Sequence, residues 1–347
     1  MTLDEFLEEW NNSSEYVRVQ TSGSTGVPKQ MLVEKQRMLA SARTTCDFLG
    51  LKEGDSALLC MSPDYIAGKM MVVRALERNL RLITVEASGH PLATIKTQSR
   101  GQTPEAEPSE PVPMTDSAHE GLPICIDFAA MVPMQVWNSL QVPEERERLR
   151  QIRHLIIGGG SIDEAMAAEL KGFPNAVWST YGMTETLSHI ALRRLSGPES
   201  SDWYTPFDSV HLSLSDEGCL VIDAPEVCAE TLVTNDRAEL LPNGRFRILG
   251  RKDNVICSGG IKIQAEEVER QLSPHLHEPF LISKRPDPKF GEVVVLLTEG
   301  LADEARAVCE RILPKYHRPR VYLHVDHIPL TETGKPARRE AERMASE

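Results

Sequence analysis

The stretch Thr21-Ser22-Gly23-Ser24-Thr25-Gly26-Val27-Pro28-Lys29 decides how the rest of this chain is read. Its two glycines allow a tight backbone path, and its hydroxyls and exposed amides supply donors for phosphate oxygens. Lys29 adds a cation. A Walker loop is excluded, because Gly-x-x-x-x-Gly-Lys-Ser/Thr is absent. Taken alone, the stretch is either a phosphate-binding loop or a polar turn between strands.

Working outward, short apolar runs such as Ala57-Leu58-Leu59-Cys60-Met61 and Leu80-Arg81-Leu82-Ile83-Thr84-Val85 read as strands. Helical patterns over 35–49 and 68–78 lie between them. This alternation predicts a mostly parallel sheet with covering helices. The segment 95–121 breaks the pattern: 103–113 is rich in Pro and Glu and reads as a flexible surface loop. Alternation resumes over 123–182, with a helix over 135–140. After Trp203 the texture changes to short strands at 210–214, 219–222, 231–234 and 245–249, the last preceded by the turn Pro242-Asn243-Gly244. From residue 252 a small α+β unit follows, with a helix over 264–271 and strands at 280–283 and 293–297. The expected fold class is α/β. A large domain, 1–251, combines strand–helix layers with a small β-barrel-like part; a small mobile lid follows over 252–347.

A chain of 347 residues is long enough for two cores. Its formal charge of 38 − 51 = −13 argues against a nucleic-acid binder, which carries a basic face. No apolar run reaches the roughly 20 residues that span a bilayer, and the acidic N-terminus is unlike a signal peptide. Seven cysteines without a Cys-x-x-Cys read as reduced thiols, which suits the cytoplasm.

Further stretches carry a resemblance. Tyr181-Gly182-Met183-Thr184-Glu185-Thr186 places a carboxylate beside hydroxyls, which suits Mg²⁺ shared with phosphate oxygens, or else is a helix cap. His154-Leu155-Ile156-Ile157-Gly158-Gly159-Gly160 reads as a strand ending in a glycine turn. Thr234-Asn235-Asp236, then Gly250-Arg251-Lys252-Asp253-Asn254 running into Ser258-Gly259-Gly260, and finally Thr333-Gly334-Lys335, complete the series. Together with 21–29 and in this order, these resemble the signatures of the adenylate-forming superfamily of acyl- and aryl-CoA ligases, luciferases and adenylation domains. The resemblance implies an enzyme that joins a small carboxylic acid to coenzyme A through an acyl-adenylate, using ATP and Mg²⁺. It implies that Thr21, Ser22, Gly23, Ser24, Thr25, Gly26 and Lys29 hold the β,γ-phosphates, and that Gly158, Gly159, Tyr181 and Gly182 border adenine. Thr184 would meet the α-phosphate and Glu185 the metal. Asp236 and Arg251 would grip ribose, with Asn235 standing where the family has glycine and accepting its unusual backbone angles. Asp253 would be the hinge, Ser258, Gly259 and Gly260 would line the pantetheine tunnel, and Lys335 would bridge the acid and the α-phosphate.

The chain departs from the family in length, since relatives place well over a hundred residues before the phosphate loop. Among shorter members it is similar to the o-succinylbenzoate–CoA ligases of menaquinone biosynthesis. Tyr65 stands where many relatives have histidine, and is either a stacking surface for an aromatic acid or a core tyrosine. A diacid needs a cation or several donors for its unreacting carboxylate; Ser188, His189 and Arg193 are the candidates, with a surface His and a solvated Arg as the plain alternative. Another acyl-CoA ligase, a carrier-protein-loading enzyme or a silent ATP-binding protein stays open, as does a homo-oligomer.

Overall fold

The computed structural model describes residues 1–20, 30–95, 125–160, 162–331 and 336–347, with the backbone of 115–117. The loop at 21–29, most of the 95–121 segment and Lys335 lie outside the described residues. Two compact units divide the chain: Met1–Ile162, Met166–His211 and Asp223–Thr231 form one, and Asp163–Ala165, Leu212–Ile222 and Leu232–Glu347 the other.

The first unit begins with α1 (Leu3–Asn11), where Thr2 and Glu5 form a reciprocal capping box. Strands β1 (Tyr16–Gln20) and β2 (Gln30–Glu34) pair antiparallel on either side of 21–29. Next come α2 (Lys35–Leu49), β3 (Ser56–Leu59), α3 (Ile66–Arg78), β4 (Arg81–Thr84), β5 (Thr115–Ser117) and β6 (Phe128–Met131). Then follow α4 (Pro133–Gln141), α5 (Pro143–Gln151), β7 (His154–Ile157), α6 (Glu164–Lys171), β8 (Ala176–Gly182), β9 (His189–Arg194) and β10 (Thr205–Pro206). Eight strands form one sheet in the order β10-β9-β8-β7-β6-β3-β4-β5. The run from β5 to β8 is parallel, and β8-β9-β10 turn back antiparallel. β3 and β6 are buried at every position, as a parallel sheet covered on both faces requires. Leu58, Ile83, Ala129, Leu155 and Val177 from five strands share one core cluster. The carboxyl ends of such strands are where open α/β sheets bind ligands, and β7 and β8 lead there into Gly158 and Tyr181.

The second unit holds a four-stranded antiparallel sheet of β11 (His211–Leu214), β12 (Cys219–Asp223), β13 (Leu232–Leu240) and β14 (Phe246–Arg251). It continues through the hairpin β15 (Val255–Ser258) and β16 (Ile261–Gln264), α7 (Ala265–Leu272), β17 (Phe280–Asp287), β18 (Gly291–Thr298), α8 (Ala302–Ile312), β19 (Val321–His324) and α9 (Arg338–Ser346). Alternation along β17 and β18 sorts their side chains onto two faces. Ile282, Val294 and Leu296 meet Val268, Leu272 and Cys309 of the α7/α8 layer. Leu281, Val295 and Leu297 meet Ala341 and Ala345 of α9.

Two local expectations differ from the structure. The stretch 95–121 contains β5, whose Thr-Asp-Ser backbone pairs with β4; an edge strand needs hydrogen-bonding backbone, not apolar side chains, so composition hides it. Asn235 uses no left-handed angle, because it lies inside the extended β13; among the described non-glycine residues only Asn79 and Leu187 have positive φ.

Candidate active site

In the first unit, Tyr181 and Gly182 end β8, and a register irregularity falls between them where β9 pairs alongside. Gly182 is needed there: an added Cβ would overlap the Ser188 carbonyl oxygen and the His189 Cα. Thr184–Thr186 form one 3-10 turn, closed by Leu187 N–H donating to the Thr184 carbonyl at 2.9 Å. Thr186 Oγ1 accepts from Met183 N–H at 3.0 Å and donates to the Ser188 carbonyl at 2.8 Å, so one buried hydroxyl ties both ends of the turn. Leu187 leaves it with φ of +64°, a conformation that costs a leucine on the order of 1–3 kcal/mol. The turn presents Glu185 exposed, with Thr184 half-buried next to it. Tyr181 lies 5.9 Å from the Tyr204 ring, and Tyr204 shares a hydrogen bond with Ser179 at 2.9 Å. Gly158 follows β7 and lies against the Thr180 hydroxyl, where a Cβ would also collide.

The three candidates for the acid separate. Ser188 and His189 are linked at 3.2 Å, and His189 Nε2 meets Thr45 Oγ1 of α2 at 3.2 Å. The irregularity in β9 sends His189 into the layer of α2 and Phe207, where burial first and Arg74 second hold its pKa well below the usual imidazole range. Arg193 instead lies over the Tyr204 ring and reaches Asp202 at 3.4 Å. Tyr65 caps the start of α3 and is 47% exposed, so it is no core residue.

A residue absent from the sequence reading joins this cluster. Arg74 of α3 is 2% exposed and donates from Nη2 to Ser188 Oγ at 2.6 Å. Its Nε has no partner, and among the described residues no carboxylate lies within ion-pair distance. Burial lowers its pKa to about 10. The signal was present: a charge within the apolar run Met70-Met71-Val72-Val73-Arg74-Ala75 is rarely buried without purpose.

In the second unit, β13 and β14 place Asp236 opposite Arg251. Arg251 donates to Asp236 at 3.2 Å and to Asp253 at 3.2 Å, and Asn235 also donates to Asp253 at 3.2 Å. Gly259 and Gly260, at φ of +58° and +84°, form the two-residue turn between β15 and β16 after Ser258, a geometry that favours glycine at both places. Gly259 N–H donates to the Phe290 carbonyl at 2.8 Å.

No family model matches the chain. It is 30% identical to the acyl-CoA synthetase (AMP-forming)/AMP-acid ligase II-like protein of Dyadobacter fermentans, whose structure superposes with a TM-score of 0.62 over 99% of this chain and 93% of that one. The chain belongs to the AMP-forming acyl-CoA synthetases. Like other synthetases of this adenylate-forming superfamily, it is an acid–thiol ligase. It is also 25% identical to the 2-succinylbenzoate–CoA ligase of Bacillus cereus (strain Q1), over 98% of this chain and 72% of that protein. The fold of the O-succinylbenzoate coenzyme A synthetase of Bacillus subtilis, solved with ATP and magnesium ion, matches with a TM-score of 0.69 at 20% identity, covering 93% of this chain and 69% of that one. The 184–186 turn carries one exposed carboxylate, Glu185, and there is no group of three metal-ligating side chains among the described residues. That donor set fits Mg²⁺ as nucleotide enzymes use it, held by one carboxylate and the substrate's phosphates.

Proposed function

We propose that this synthetase activates an aromatic diacid of the o-succinylbenzoate type and passes the acyl group to coenzyme A. Arg74 carries the reading. A buried guanidinium with an unpartnered Nε and no carboxylate partner among the described residues is costly, and a second carboxylate on the substrate would satisfy it by a charge-assisted pair. Ser188, already bonded to Arg74, would share that carboxylate, while the neutral His189 holds Ser188 in place. Exposed Tyr65 would offer its ring to the aromatic part.

In the first step the substrate's other carboxylate attacks the α-phosphate of ATP; the phosphorus–oxygen bond to pyrophosphate breaks and an acyl-adenylate forms. Lys335 and Thr184 would neutralise charge building on the α-phosphate, and the 21–29 loop would hold the β,γ-phosphates. Mg²⁺ held by Glu185 would supply charge neutralisation for the phosphates. Asp236 and Arg251 would hold ribose, and Gly158, Gly159, Tyr181 and Gly182 would border adenine. In the second step the coenzyme A thiol, entering past Ser258, Gly259 and Gly260, attacks the acyl carbon; AMP leaves and the thiol proton is lost. Reorientation of residues 252–347 about Asp253 would separate the steps.

Pyrophosphate release with ATP, Mg²⁺, coenzyme A and a panel of mono- and diacids tests this. Turnover concentrated on o-succinylbenzoate and related diacids is expected. Preference for a monoacid lacking the second carboxylate would overturn the substrate assignment, and silence across the panel would overturn the reaction.

A further inference from the structure

Outside the groups placed against substrate, the second unit holds a half-buried ion pair with several bonds. Arg338 donates from Nη1 to Glu269 Oε1 and from Nη2 to Glu269 Oε2, each at 2.7 Å, and Nη1 also donates to the Ile282 carbonyl at 2.9 Å. Glu269 in turn accepts from Ile282 N–H at 2.8 Å. One fork of donors thus joins α7, β17 and the first residue of α9. A half-buried pair of this kind adds little net stability, because desolvation and solvent screening offset most of the attraction. What it fixes is geometry.

The geometry concerns the described residues that precede α9. Leu330 and Pro336 form an antiparallel bridge, and Ala337 N–H donates to the Pro329 carbonyl at 2.8 Å. Arg338 N–H donates to the Pro336 carbonyl at 3.0 Å. The chain on either side of 332–335 is therefore joined at Leu330 and Pro336, and that junction is fastened to α7 and β17 through Arg338. Three residues of chain reach at most about 10 Å, so the anchor at 338 bounds where Lys335 can act.

We propose that Arg338 and Glu269 are positioning residues for the adenylation step, holding the Leu330–Pro336 junction that flanks Lys335 in register with α7. The inference rests on the reading of Lys335 given above. A misplacement of about 1 Å at a charge-stabilising group costs on the order of 10²-fold in rate.

The test compares two half-reactions in the full-length protein: acid-dependent exchange of pyrophosphate into ATP, and thioester formation from preformed acyl-adenylate and coenzyme A. Arg338→Lys keeps the charge but cannot span both carboxylate oxygens. It should lower the exchange kcat about 10²-fold, with KM for acid and ATP and the thioester step near wild type. Glu269→Gln should move the same quantities in the same direction by less. Equal loss in both half-reactions, or full exchange activity in Arg338→Lys, overturns the proposal. Should Arg338→Lys fail to fold, Glu269→Gln alone decides by the same split. Wild-type protein without acid-dependent exchange would instead refute the proposed reaction and leave this pair unexplained by it.

Discussion

Arg74 sets the sharpest expectation at the scale of a single residue. Its replacement by Met keeps the length of the side chain and removes the buried charge, so the protein gains stability or stays level, because no acidic partner among the described residues is orphaned. The diacid loses its counter-charge. We expect Arg74→Met to raise KM for o-succinylbenzoate by about 10²-fold, the scale of a lost charge-assisted pair of roughly 3 kcal/mol. Steady-state kinetics against the diacid and against benzoate check this: equal effects on both acids would remove Arg74 from substrate recognition. Lys69, also on α3 and 1% exposed, makes an instructive contrast. It meets Glu9 at 3.5 Å and lies over the Phe6 ring, so its burial is answered within the fold. Arg74, unlike Lys69, has no anionic partner among the described residues.

At the scale of elements, the irregularity where β8 meets β9 holds the nucleotide signature in shape. Gly182→Ala would drive a methyl group into the Ser188 carbonyl oxygen, an overpacking that costs about 1–3 kcal/mol. Relief requires moving the 184–186 turn or the head of β9. Adenylation should fall at least tenfold, while alanine substitutions at glycines with open space around them, such as Gly197, affect stability alone; exchange assays paired with thermal melts distinguish the two. Elements of this kind were readable where local chemistry was unambiguous. The helix expected over 35–49 is α2 to the residue, because Gly50 supplies the left-handed C-cap at φ of +63°. β13 runs on to Leu240 where the sequence suggested 234, since its polar residues Asp236 and Arg237 pair by backbone with β14. The family signatures were legible as strings. The irregularity that separates His189 from Arg193 was not, because a register shift leaves no mark in a run that still alternates. Arg74 escaped for a related reason: a cation on a helix looks solvated until its neighbours are known.

The whole molecule divides into two units with separate cores, and their acid sensitivities differ. His154 and His189 both belong to the first unit. Burial, helped by Arg153 and Arg194, holds His154 down to about 4, and burial with Arg74 holds His189 well below its ordinary value. A histidine whose folded pKa is depressed binds more protons when unfolded, so its contribution is complete above about 6.5 and is lost as pH falls toward the folded value. Each fully shifted imidazole then removes about 1.4 kcal/mol per pH unit across that window, and His154, which is only partly buried, removes less. All four tryptophans, Trp10, Trp137, Trp178 and Trp203, lie in the first unit, so their fluorescence reports that unit while circular dichroism reports both. Between pH 7.5 and 5.5 the fluorescence melting midpoint should drop by several degrees more than the later part of the dichroism transition, separating two unfolding steps. His154→Gln should narrow that gap by removing one of the two linked protons. If fluorescence and dichroism fall together at every pH, and the histidine variant changes nothing, the units unfold as one and the buried imidazoles do not govern acid stability.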